Sequence, residues 1–310
     1  RKRLTRGKLA ESVANLPPCL VAMEACGSSN FWARRLKALG HDARLISPQF
    51  VKPYVKTNKN DFNDAEAICE AATRPQMRFV PLKSIEQQDI QAVHRVRQLL
   101  VQQRTALVNQ ARGLLREYGV FIPAGISQFR RAIAGVLEDA ENELTDLTRA
   151  LMADLYQRLL ELDRQIADYE RLVLRLSREQ PVCQRMEKVE GVGVLTATAL
   201  MATVGDAKAF KNGRQMSAWL GLVPRQHSSG EHNRLFGISK RGDIYVRSLL
   251  IHGARSVLLR CKHKTDPKSR WLQRLIERRG FNRACVALAN KNARTLWALM
   301  AHGEDYRLAA

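Results

Sequence analysis

Leu155, Leu159, Leu162, Ile166, Tyr169, Val173 and Leu176 recur at alternating spacings of four and three. That spacing places all seven on one stripe of a single long helix and excludes a β-strand, whose faces repeat every two residues. The run covers about three heptads, enough for a coiled-coil seam, and the same spacing also serves an antiparallel hairpin within one chain. Upstream, residues 86–118 are helical in pattern too, with Gln and Arg on the polar face, until Pro123 and Gly125 interrupt them. The expectation is a protruding helical hairpin over residues 86–180 that also supplies a contact to a partner.

On either side of this region the patterning changes. Leu20-Val21-Ala22-Met23-Glu24 reads as a short buried strand, Gly27-Ser28-Ser29-Asn30 as a helix start, and residues 31–39 as a helix stopped by Gly40. Residues 43–46 form a second strand ended by Pro48, residues 61–72 a helix, and residues 78–80 an edge strand before Pro81. Strands separated by helices imply an α/β layer with partly parallel pairing. Ligands collect at the carboxyl ends of such strands, where Glu24 falls. Beyond residue 180 the pattern is mainly helical. The expected fold class is therefore α/β plus α, with domains at 1–85, 86–180 and 181–310.

Charge narrows the function. The 310 residues hold 51 Lys and Arg against 30 Asp and Glu, a formal net charge of +21, which fits nucleic acid far better than acidic small molecules. Residues 141–180 carry nine acids against six bases, and residues 211–280 carry sixteen bases against four acids. The C-terminal third is thus the expected nucleic-acid surface. No apolar stretch approaches the roughly 20 residues that span a bilayer, and Arg1-Lys2-Arg3-Leu4-Thr5-Arg6 has no apolar signal core behind it. Cys19, Cys26, Cys69, Cys183, Cys261 and Cys285 form no Cys-x-x-Cys pair, so they read as small buried hydrophobes in a reducing cytosol, without zinc or disulfides.

Four sets of residues carry candidate chemistry. Glu24 ends an apolar strand, while Asp61 and Asp64 stand three apart on one helix face. Adjacent like charges favour a bound cation, although a cap at Asp61 with Asp64 and Glu66 as first-turn acids has the same spacing. Glu190-Gly191-Val192-Gly193 joins two short helices in a helix-hairpin-helix-like segment. Gly191 and Gly193 there can present backbone N–H groups to a DNA phosphate, or simply make a tight turn. In Arg225-Gln226-His227-Ser228-Ser229-Gly230, followed by Arg234, Lys240 and Arg241, a serine in a flexible loop ringed by cations can attack phosphorus. The same composition also suits a plain polar loop. Finally, residues 270–279 read as a basic amphipathic helix, and Trp219, Trp271 and Trp297 as core anchors.

In order along the chain, several motifs resemble the DEDD-type insertion-sequence transposases, the RNA-guided "bridge" recombinases with a catalytic serine. They are Met23-Glu24-Ala25-Cys26, Lys59-Asn60-Asp61-Phe62-Asn63-Asp64-Ala65, Glu190-Gly191-Val192-Gly193-Val194-Leu195-Thr196-Ala197, Leu220-Gly221-Leu222-Val223-Pro224 with Ser228-Ser229-Gly230, Ile238-Ser239-Lys240-Arg241-Gly242-Asp243, and Ala287-Leu288-Ala289-Asn290-Lys291. The resemblance covers residues 19–300. It implies an RNase H-like (RuvC-like) N-terminal domain with a helical coiled-coil insertion, then a C-terminal transposase domain, in a cytoplasmic, nucleoid-associated protein. It further implies Mg²⁺ held by Glu24, Asp61 and Asp64, with Ser229 as the nucleophile that joins a DNA end and Ser228 as the competing assignment. A structured guide RNA and homodimers pairing into tetramers are the implied partners. The family's first Asp, on an opening strand, has no counterpart before Glu24, so the chain is expected to be N-terminally truncated. The rival expectations are a RuvC-like nuclease that hydrolyses DNA junctions with an activated water, and an inactive nucleic-acid-binding remnant.

Overall fold

The computed structural model describes residues 2–56, 60–230 and 232–306. They divide into two compact units, residues 1–87 with 204–209 and residues 88–203 with 210–310.

The first unit is built on a three-stranded sheet ordered β1 (Leu20–Glu24), β2 (Asp42–Ile46), β3 (Phe79–Val80). β1 and β2 run parallel, Leu20 opposite Asp42 and Glu24 opposite Ile46, and β3 is antiparallel to β2. A parallel pair needs a crossover. Helix α2 (Ser29–Ala38) supplies it, following α1 (Arg6–Ala14), and Gly40 reverses the chain at φ 90°. Pro48 does not merely end β2 but opens the short helix α3 (Pro48–Val51), and α4 (Asp61–Ala72) follows.

Strand alternation sorts the side chains onto two faces. Val21, Met23, Ala43 and Leu45 pack with Ala33 and Leu36 of α2. Ala22 and Ile46 pack with Ala67, Ile68 and Ala71 of α4 on the other face. Glu24 is two residues after Ala22 and paired with Ile46, so it shares the α4 face. At the other end of β1, the Cys19 N–H donates to His41 Nδ1 at 3.3 Å, which leaves the proton of the buried ring on Nε2, 3.1 Å from the Val13 carbonyl.

The second unit begins with most of α5 (Ile85–Arg116), then α6 (Ile126–Glu138) and α7 (Asp146–Glu179). Arg97 pairs with Glu170 and Arg104 with Asp163. Seven residues forward along α5 correspond to seven back along α7, so the two helices run antiparallel. Along the heptad stripe Leu159, Ile166 and Val173 are buried and Leu155, Leu162, Tyr169 and Leu176 half-buried, with Leu155 and Leu159 packed in one core with Val108, Ala111 and Leu115 of α5. α6 lies in a stretch that sequence patterning left as an interruption. Its Phe129 and Ile133 join Leu115, Ile122, Met152 and Leu159 in one core, and Arg130 shares Asp163 with Arg104.

The remaining elements of this unit are α8 (Pro181–Glu187), α9 (Val194–Val204), α10 (Gly213–Trp219), β4 (Pro224–Ser229), β5 (His232–Ile238), α11 (Ile244–Arg260), α12 (Pro267–Arg279) and α13 (Phe281–His302). α13 is the central element, burying Ala284, Cys285, Leu288, Ala289, Ala293 and Leu296 as α10, α11 and α12 pack around it. Two sequence expectations need correction. Cys183, Cys261 and Cys285 are buried, but Cys19, Cys26 and Cys69 are exposed, and all six are free. The three tryptophans are half-buried rather than core, Trp219 against Phe210 and Trp271 beneath the Lys291 ammonium. Among the described residues no helix is long and apolar enough to cross a membrane.

One buried polar chain ties α5, α9 and α11 together. The Thr198 hydroxyl donates to the Val194 carbonyl at 2.7 Å, so it accepts from His94 Nε2 at 2.9 Å, and His94 Nδ1 accepts from the Tyr245 hydroxyl at 3.1 Å. Burial, helped by the Arg97 charge, lowers the pKa of His94 to about 4 from the ordinary 6.5. The unfolded chain therefore binds a proton that the folded chain refuses, and stability is lost as pH falls from 6.5 towards 4. Between pH 7 and pH 5 this ring should cost about 2 kcal/mol of stability. Urea denaturation at the two pH values should show that loss, and His94→Gln should lose about 2 kcal/mol less over the same interval.

Candidate active site

The acids lie in the first unit. Asn60, not Asp61, caps α4, its side-chain carbonyl accepting from the Asn63 N–H at 2.9 Å. That leaves Asp61 exposed in the first turn and places Asp64 on the half-buried stripe that continues through Ala67, Ile68 and Ala71 towards the sheet. Glu24 and Asp64 thus approach the same β1–α4 layer, while Glu66 is paired with Lys56 at 3.2 Å. Among the described residues, Glu24, Asp61 and Asp64 have no side-chain hydrogen bond or ion pair. Nor are the three drawn into one cluster: no group of three His, Cys, Asp or Glu among those residues is arranged to hold a metal ion. Carboxylate oxygens are the donors Mg²⁺ prefers, and that ion needs only one or two of them when phosphates complete its shell. The donor chemistry fits the ion, without a closed protein cage.

The serines lie in the second unit, on a hairpin rather than in the flexible loop expected from composition. β4 and β5 are antiparallel, with Ser229 opposite His232, Ser228 opposite Asn233, His227 opposite Arg234 and Gln226 opposite Leu235. Gly230, at φ 56°, sits in the turn, where a left-handed backbone favours glycine. Alternation separates the two serines. Ser229, His232, His227 and Arg234 share one face, and the Phe236 ring joins them, 5.3 Å from the His227 ring with the Arg234 and Arg225 guanidiniums 5.0 and 5.9 Å from its centroid. Ser228 is on the other face with Gln226, whose amide donates to its hydroxyl at 2.8 Å. Every described residue from Pro224 to Gly237 is exposed.

Gly191 and Gly193 occupy the turn between α8 and α9. Gly191 is at φ 85°, and a Cβ there would stand 2.8 Å from the Gly253 carbonyl oxygen of α11, so packing already requires this glycine. Gly193 is exposed at the start of α9, its carbonyl accepting from Thr196 and Ala197. Beside them, Lys268 and Lys264 hold the Glu190 carboxyl below its usual range. Lys240 and Arg241 are exposed just beyond β5. On α12, Arg270, Arg274 and Arg278 are exposed at four-residue intervals while Leu272 is buried, so the helix is basic outside and apolar inside.

Comparison with known proteins joins these pieces. Residues 183–270 match the family described as "Transposase IS116/IS110/IS902 family", and residues 4–120 match the DEDD transposase family of IS110. The chain is 52% identical over 308 residues to a "Probable family 20 transposase" of Pseudomonas aeruginosa, covering 99% of this chain and 91% of that protein. The chain belongs to the IS116/IS110/IS902 transposase family. It is also 50% identical to the "Transposase for insertion sequence element IS1111A" of Coxiella burnetii, over 100% of this chain and 85% of that protein. With the "Transposase for insertion sequence element IS1328" of Yersinia enterocolitica the identity is 42%, over 98% and 90% of the two chains. Of the transposase residues singled out above, Glu24, Asp61 and Asp64 fall in the first matched region. Gly191, Gly193, Arg225, Ser229, Arg234, Lys240 and Arg241 fall in the second.

Sequence reasoning passed over His94 and Arg247 of this transposase. Each looks like one more member of a basic helix, and only the fold buries them, to 2% and 6% exposure.

Proposed function

We propose that this transposase cuts and exchanges DNA strands of a mobile insertion sequence, with Ser229 as nucleophile and a structured RNA as guide. The observation that carries the reading is the hairpin face on which Ser229, His232, His227, Arg234 and Arg225 stand together. The Ser229 Oγ attacks phosphorus, forming a serine–phosphate ester as the bond from phosphorus to the leaving deoxyribose oxygen breaks. His232, paired across the hairpin, is placed to take the serine proton, and the leaving oxygen takes one up. A hydroxyl from the partner strand then attacks the ester, restores the phosphodiester and releases Ser229. Arg225 and Arg234 meet the charge on the non-bridging oxygens.

Glu24, Asp61 and Asp64 would hold Mg²⁺, which when bound supplies neutralisation and polarisation of the scissile phosphate. The family resemblance supports a dimer or tetramer, with the acids of one protomer and the serine of another serving one reaction. It also supports the RNA, and the sixteen bases of residues 211–280 supply a surface for nucleic acid.

The test is incubation with DNA carrying the ends of the element, the guide RNA and Mg²⁺. Joined strands and a protein–DNA adduct are expected, and Glu24→Gln should lower the yield by about tenfold or more. Free hydrolysed ends without an adduct would instead establish a RuvC-like nuclease.

A further inference from the structure

The serine hairpin is exposed at every described residue from Pro224 to Gly237, so whatever aims Ser229 acts at its base. Between Pro224 and Ser229 every side chain is exposed, and β4 and β5 pack chiefly on each other. At the base the two ends of the hairpin cross at van der Waals contact. A Cβ on Gly221 (φ 74°) would stand 2.2 Å from the Arg241 carbonyl oxygen, and one on Gly242 (φ 77°) 2.1 Å from the Trp219 carbonyl oxygen. Between them Lys240 is held at φ 55°, a conformation costly for a residue with a side chain. The Ser239 N–H donates to the Val223 carbonyl at 2.8 Å and the Lys240 N–H to the Gly221 carbonyl at 3.2 Å.

Beneath this crossing lies Arg247 of α11, 6% exposed. Its Nη1 donates to the Leu220 carbonyl at 3.1 Å and to the Arg241 carbonyl at 2.8 Å, one on each end of the hairpin. Among the described residues no carboxylate pairs with it. A buried cation held only by carbonyls is an expensive way to fill space. What it provides, and an apolar side chain would not, is one rigid group bonded to both chain ends.

We propose that Arg247 is the positioning residue of the serine hairpin, locking its base so that Ser229 is presented at a fixed angle. This rests on the role proposed for Ser229. The leverage is large. Five residue steps from base to tip span about 17 Å at the antiparallel rise of 3.4 Å per residue. A tilt of about 10° then moves the tip by about 3 Å, whereas a misplacement of about 1 Å already costs on the order of 10²-fold in rate.

The test uses Arg247→Lys and, as an independent lesion of the same crossing, Gly242→Ala in the full chain. Hydrogen exchange is measured in peptides covering residues 220–243 and in α13, together with DNA affinity and the rate of adduct formation at saturating DNA. Expected are exchange at least tenfold faster in 220–243 with α13 unchanged, DNA affinity within threefold, and adduct formation about 10²-fold slower. Unchanged exchange in 220–243 overturns the proposal, and does so whether or not Ser229 is the nucleophile. Faster exchange there with an unaltered adduct rate also overturns it, as does faster exchange that spreads to α13, which would make Arg247 a general stabiliser. Loss of the serine reading is seen separately, as activity retained by Ser229→Ala.

Discussion

Ser229→Ala should abolish the protein–DNA adduct and lower strand exchange by at least about 10³-fold, because the atom that forms the ester is gone. Ser228→Ala should stay within about threefold of the parent rate. The two residues are neighbours with the same side chain, so composition and general loop flexibility predict equal effects. Alternation along β4 predicts unequal ones. Ser229 shares a face with His227, His232 and Arg234, whereas the Ser228 hydroxyl is turned to Gln226. DNA affinity should be nearly unchanged in both variants, since the guanidiniums that meet phosphate remain. Strand exchange by purified protein on end-bearing DNA, measured with a binding assay alongside, checks all four numbers. Equal losses in the two serine variants would contradict the assignment by face.

Gly253→Ala should cost about 3 kcal/mol or more and lower the Tm of the second unit by about 6–12 °C. Gly253 lies inside α11, where alanine is ordinarily the better helix former. Here a Cβ would stand 1.8 Å from the Gly191 carbonyl oxygen and 2.9 Å from its carbonyl carbon. Backbone cannot rotate away as a side chain can. The turn it would have to displace is held by the Glu190 carbonyl, which accepts from Asn292 of α13 at 3.0 Å, and by the Val192 N–H bonded to the Val189 carbonyl at 2.9 Å. Gly135→Ala is the matched control, a glycine of α6 with open space where its Cβ would go. It should be neutral or stabilising by up to about 1 kcal/mol. Thermal denaturation of the two variants separates close backbone packing from helix propensity.

Much of the first unit was legible because its signals are local. The apolar run before Glu24 and the acids that open at residue 61 place β1 and α4 at the bounds the structure shows, Leu20–Glu24 and Asp61–Ala72, although the cap is Asn60 and not Asp61. The heptad stripe placed α7, but its partner was open until the pairings of Arg97 with Glu170 and Arg104 with Asp163 showed α5 running antiparallel beside it. Helix α6 and the β4–β5 hairpin were missed for physical reasons. α6 begins just after Pro123 and Gly125, residues that read as punctuation although Gly125 (φ 116°) precedes the first helical turn. The hairpin is exposed at every described residue from Pro224 to Gly237 and lacks an apolar face, so the alternation that announces most strands is absent. Ser229-Gly230 was its one local signal, a turn glycine between polar runs. Arg247 left no signal at all, since the carbonyls it holds belong to residues 220 and 241, on either side of the hairpin.

The central claim is that Ser229 bonds to DNA, and the most direct measurement is the mass of the linked peptide. The protein is reacted with end-bearing DNA, guide RNA and Mg²⁺, the adduct is digested with protease and nuclease, and the nucleotide-bearing peptide is sequenced by mass spectrometry. A nucleotide phosphate ester on Ser229 is the predicted result. An ester on Ser228 or any other residue, or complete cleavage with every end free, would contradict it.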